Sequence, residues 1–225
     1  MIARRALCTS VCGLLAGRHA WAMGGEPSGL ASLPIPTSRA IAFRLMRHGS
    51  PIGTHTLNFI VTGDRLDVDI AVDVVLYFGP IPLVRYTHHA TESWQGSRLA
   101  GLHGHTNRNG TEMWMSAHRV EAGLWVEGSG TKPYIAPEDA LPTTYWNMRM
   151  LRGPMIGTQD GGLVHPKVTE GGVQPVRLGS GQQTDATHYT LSGDLDLQLW
   201  YDVVERWVGM RFEVADGSTI TYERL

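Results

Sequence analysis

Tyr86, His88, Glu92 and Trp94 fall at even spacing with Val84 and Ala90, the densest run in this chain of side chains able to do chemistry. On a strand, residues two apart share a face, so this run presents two aromatics and a titratable pair to one side. His88 and Glu92 are four residues apart, about 13 Å along an extended strand, which is too far for a direct acid-base pair unless a bulge intervenes. Lining a pocket in a curved sheet, they would act from its two ends, with Tyr86 and Trp94 as apolar walls bearing polar handles. These four are the ligand-binding candidates. The commoner arrangement is an outward face of solvated His and Glu beside ordinary core aromatics.

His103 and His105 share the face of a second expected strand, a spacing at which two imidazoles can converge on one ion, with His118 or His88 as third ligand from a neighbouring strand. Histidines beside a turn such as Asn109-Gly110 are common without any ion, so no metal and no cofactor is assigned. The row Asp67, Asp69 and Asp73 alternates as a solvated strand face does and lacks the glycine-punctuated loop of a calcium cage. Ser93 and Ser180 lack the glycine elbow of a serine hydrolase. A Glu92/Asp202 pair could be drawn for glycoside cleavage, but nothing in the sequence sets its separation. Six of the seven tryptophans lie beyond residue 22 and suit sugar stacking as well as a core.

The chain of 225 residues opens on features of an export signal: Arg4-Arg5, a weakly apolar stretch to Gly17, and Ala20-Trp21-Ala22 with small residues two apart. Cleavage after residue 22 is expected, placing Met23 first. The apolar run is far shorter than the roughly 20 residues that span a membrane, so no transmembrane segment is expected in the mature chain. Arg4-Arg5-Ala6-Leu7 suits twin-arginine export as well as an ordinary basic start, so the expected destination is periplasmic or secreted by either route. Both cysteines, Cys8 and Cys12, fall inside this leader, and Val11 before Cys12 disfavours acylation. The remaining 203 residues carry 16 basic and 21 acidic side chains, a net of about −5, with no basic cluster to displace counterions from phosphates. No nucleic acid is expected as a partner.

Period two dominates from residue 40 onward. Leu66, Val68, Ile70, Val72, Val74 and Leu76 point one way, and Asp67, Asp69, Ala71 and Asp73 the other. A helix would spread those aspartates into its buried stripe. Similar segments at 43–47, 53–61, 83–94, 98–105, 112–120, 123–127, 167–178, 188–202, 207–214 and 218–223 are divided by turn signals such as Gly63-Asp64, Asn109-Gly110 and Asp216-Gly217. The segment 133–166 is rich in Pro and Gly, with room for one short helix. The expected architecture is all-β, an antiparallel meander curling into a barrel or half-barrel with an irregular middle segment. Residues 1–22 are the signal, 23–39 a flexible leader, and 40–225 a single β domain.

Several stretches are specific as a set: 47–55 (RHGSPIGTH), 86–94 (YTHHATESW), 106–110 (TNRNG), 144–147 (TYWN), 157–161 (GTQDG), 199–202 (LWYD) and 216–220 (DGSTI). Together they resemble an uncharacterised family of secreted bacterial β-proteins, a domain of unknown function, over most of the chain beyond the leader. The resemblance implies export and an antiparallel β fold, and it supplies no catalytic residues. The leading expectation is a non-enzymatic envelope protein that binds an apolar or amphipathic small molecule or lipid. The alternatives are a metal-dependent or acid-base hydrolase using His88, Glu92, His103, His105 and His118, and a structural secreted domain.

Overall fold

A computed structural model of the chain describes residues 29–78 and 81–225. The expected signal segment 1–22 lies outside the described residues.

The first half is a run of long antiparallel strands: β1 (Ala40–Arg47), β2 (Ser50–Thr62), β3 (Arg65–Phe78), β4 (Ile81–Gln95), β5 (Arg98–Arg108), β6 (Thr111–Val120), β7 (Gly123–Gly128) and β8 (Thr131–Ala136). The middle holds only two-residue strands, β9 (Leu141–Pro142), β10 (Met155–Ile156) and β11 (Leu163–Val164), with a short 3-10 helix (Met148–Arg152). The second half is β12 (Lys167–Arg177), β13 (Gln183–Ser192), β14 (Leu197–Asp202), β15 (Trp207–Glu213) and β16 (Thr219–Arg224). One 13-stranded antiparallel sheet runs in the order β12-β13-β14-β15-β16-β1-β2-β3-β4-β5-β6-β7-β8. The halves join where β16 pairs with β1, Leu45 opposite Tyr222. The sheet does not close: β8 and β12 end it, each carrying a proline (Pro133 and Pro175) and lysine or arginine that discourage a further strand.

Alternation explains the layers. Leu66, Val68, Ile70 and Val72 are buried while Asp67, Asp69 and Asp73 face out, as period two predicts. Asn109 and Gly110 both have positive φ (53° and 87°), the conformation that two-residue hairpin turns demand. The expected strand 188–202 is instead a hairpin. Gly193 at φ 96° turns the chain between β13 and β14, and its N–H donates to the Asp196 carboxylate at 3.2 Å. The leader expected to be flexible contributes structure from Gly29 on: a 3-10 turn (Gly29–Ser32) delivers Leu33, only 6% exposed, into the core.

The middle segment fills the concave face. Trp146, Met150, Met155 and Ile156 are buried there, and Trp146 packs edge-on against Phe59 and Trp94 with ring centroids 5.2 and 5.6 Å away. Gly104 and Gly128 occupy one cross-strand row with Met115 between them. A Cβ on Gly104 would stand 1.9 Å from the Thr158 carbonyl oxygen, and one on Gly128 would stand 2.1 Å from that of Asp160. Their lack of a side chain lets the middle segment's backbone lie directly on the sheet.

Candidate functional site

From Val84 on, even positions of β4 face the concave side, because Ala90 and Trp94 must bury their apolar surface and the strand carries its other even residues with them. His88, Glu92 and Trp94 are 7%, 1% and 1% exposed, so the reading of a solvated outward face is overturned. Tyr86, nearer the strand's start, is half-buried. Val68 and Leu102 flank Glu92 on the neighbouring strands, and Val72 and Thr106 flank His88.

Both titratable side chains are engaged by the middle segment. Glu92 Oε2 accepts hydrogen bonds from Trp94 Nε1 at 2.7 Å and Trp146 Nε1 at 3.0 Å. Burial pushes its carboxyl above the usual range, opposed by Thr144 and the two indoles. Oε1 has no hydrogen-bond partner; protonated, it becomes a donor. His88 Nδ1 lies 2.8 Å from the Thr106 hydroxyl and Nε2 3.3 Å from that of Thr158. A neutral imidazole satisfies this arrangement, donating through one nitrogen and accepting at the other. Burial lowers its pKa to about 4, helped by His89 and His105. His88 and Glu92 therefore anchor the middle segment, and they do not pair with each other.

The imidazoles expected to form one cluster are divided by the sheet. His103, His105 and His118 lie exposed on the convex face, opposite to His88. Among the described residues no three His, Cys, Asp or Glu side chains are arranged to hold a metal ion. Asp202 is spent locally: its carboxylate accepts from Arg206 Nε at 2.7 Å and from the backbone N–H groups of Val204 and Arg206.

A second group on the concave face escaped the sequence reading. Its floor is Phe43 and Trp207, both 0% exposed, with ring centroids 4.2 Å apart. His55, directly opposite Phe43, is buried with neither ring nitrogen hydrogen-bonded. Desolvation lowers its pKa to about 3, with His88 contributing. Tyr86, Tyr145 and Tyr222 are half-buried around this floor. Tyr145 and Tyr222 lie 5.5 and 5.9 Å from Trp207, and burial raises all three phenols. Tyr145 has φ 66°, a left-handed conformation that costs a bulky residue about 1–2 kcal/mol. Its carbonyl accepts from the Tyr201 hydroxyl at 2.7 Å, which holds that geometry. Alternation did place His55 on the face of Leu57 and Phe59, so its inward direction was legible. Its meeting with residues 145, 207 and 222 was not.

The chain is thus an open antiparallel half-barrel with a filled interior and an aromatic group at one end of its concave face. It belongs to the family described as Domain of unknown function (DUF6134), whose model matches residues 43–225. No curated protein matches it. Among solved structures it is similar to a β-barrel-like protein of Domain of Unknown Function DUF1849 from Brucella abortus, with 11% identity and a TM-score of 0.57. The match covers 83% of this chain and 95% of that one. At that identity the likeness concerns the fold. Among the described residues no helix is long and apolar enough to cross a membrane.

Proposed function

We propose that the protein is an exported binding module of the cell envelope that seats an apolar or amphipathic small molecule against the Tyr86/Tyr145/Tyr222 rim. The observation that carries this reading is Tyr145, an aromatic residue held in a left-handed backbone conformation at the edge of an apolar floor. Such strain persists where the surroundings enforce it and gathers at ligand clamps. An apolar floor with a few polar groups around it is the usual composition of a small-molecule site, and the orphaned nitrogens of His55 add hydrogen-bonding capacity beneath. The reading moves the site from the sequence candidates: Tyr86 stays, while His88, Glu92 and Trp94 are occupied in holding the middle segment.

Tyr145→Gly separates the ring from the backbone. Glycine takes the left-handed conformation without penalty, so relief of strain offsets part of the lost packing and the melting temperature should stay within a few degrees. Titrated with 1-anilinonaphthalene-8-sulfonate, the parent chain should bind saturably and this variant at least tenfold more weakly. Equal affinity in a folded Tyr145→Gly, or no saturable binding by the parent, would refute the site. Export rests on the leader and has its own measurement: periplasmic protein should begin at Met23 on N-terminal sequencing, and retention of residues 1–22 would sink it.

A further inference from the structure

His88 and His89 are neighbours in sequence and point to opposite faces of the sheet. His89 comes out on the convex side, directly opposite Ala71 on β3 and His105 on β5. His89 Nε2 lies 2.7 Å from Asp69 Oδ1, and His105 Nε2 lies 2.8 Å from Glu112 Oε2. An ionised carboxylate only accepts, so in both residues Nε2 carries the proton, and the neutral ring is left with a lone pair on Nδ1. A carboxylate on one ring nitrogen, which fixes the tautomer and leaves the other nitrogen to coordinate, is the usual outer arrangement around a metal-bound histidine. Directly opposed residues have Cβ atoms about 4.5–5.5 Å apart, and Nδ1 is the ring nitrogen nearer the backbone, so both lone pairs can reach one ion.

The surroundings suit a cation. His89 and His105 line a depression of 240 Å³ together with Thr54, Thr56, Asp73 and Thr87. Asp69, Asp73 and Glu112 lie on this face and offset a double positive charge. Sequence spacing had paired His105 with His103. In the folded sheet His103 is opposite Ser116, its Nδ1 3.3 Å from that hydroxyl, whereas His105 is opposite His89.

We propose that His89 and His105 form a two-imidazole site on the convex face for a divalent transition ion, with Asp69 and Glu112 orienting the rings and water completing the coordination. Imidazole nitrogens in such a site favour Cu2+ over Zn2+, so Cu2+ is the probe of choice. This proposal is independent of the ligand site on the concave face.

Trp114 provides a local signal, since it is directly opposite His105 on β6 and 47% exposed. With Cys8 and Cys12 alkylated to silence their thiols, Cu2+ added to the full chain should quench fluorescence saturably with one ion per chain. Trp114→Phe should remove most of that quenching. Calorimetric affinity should fall at least tenfold in His89→Ala and in His105→Ala, and about 10- to 100-fold in Asp69→Asn and Glu112→Gln. His103→Ala should bind as the parent does. The positions are exposed, and circular dichroism on each variant confirms that it is folded. Unchanged affinity in His89→Ala overturns the site, as does a loss in His103→Ala equal to that in His105→Ala, which would assign the ion to one strand.

Discussion

Replacing Ile70 by aspartate is expected to unfold the protein. Ile70 is 1% exposed between Leu57 and Ala90 on the neighbouring strands, so the new carboxylate has neither water nor a cation to meet. Burying an unpaired charge costs several kcal/mol, and a domain has only about 5–15 kcal/mol in total. One residue earlier the effect should nearly vanish. Asp69 faces outward and pairs with His89 at 2.7 Å with both side chains about half exposed, so Asp69→Asn should cost less than about 1 kcal/mol. Urea unfolding of the two variants compares them, and equal losses would contradict the assignment of faces on β3.

Acid is expected to destabilise the fold well before most carboxylates titrate. The folded-state pKa is lowered to about 3 in His55 and about 4 in His88, against an ordinary value of 6.5. Above 6.5 both imidazoles are neutral in the folded and unfolded chain. As pH falls below 6.5 the unfolded chain takes up protons that the folded chain refuses, so stability drops until the folded-state values are reached. Glu92 opposes this. Its raised carboxyl contributes stability that is present at low pH and lost as pH rises through its folded value. With each fully refused proton worth about 1.4 kcal/mol per pH unit, the two imidazoles alone should cost roughly 4 kcal/mol between pH 6.5 and 4.5, and Glu92 reduces that loss. Denaturant melts across that window measure it. His55→Phe and His88→Gln should each reduce the loss by about 2 kcal/mol relative to the parent, and a profile unchanged in both variants would show that these imidazoles take up protons in the folded state.

A filled half-barrel changes what the buried polar groups mean. His88 sits between two hydroxyls and Glu92 bridges two indoles through one oxygen, and each fixes where residues 144–158 lie. His55 is buried with neither ring nitrogen hydrogen-bonded. Its lone pair and N–H stand among Phe43, Trp207 and Tyr222, so a polar group with no partner lies within an aromatic cluster. That coincidence concentrates the binding proposal at one end of the concave face and leaves the convex His89/His105 pair as a separate chemistry.

Most strands and turns, and the faces of each strand, were set by the sequence itself, because alternation and turn chemistry are local. A side chain two residues along a strand returns to the same face whatever the rest of the chain does, so Tyr86, His88, Glu92 and Trp94 had to share one side. Which side met solvent, and what covered it, was decided by the tertiary structure. The bonds that settle it join Trp146 to Glu92 across 54 residues and Thr158 to His88 across 70. The residues of that middle segment follow no period from which their docking could be read. The pairing of β16 with β1, which brings Tyr222 beside Leu45, and the register that sets His89 against His105 are likewise long-range choices. They are fixed by how complete strands bury their apolar faces together, and no short stretch of sequence contains that information.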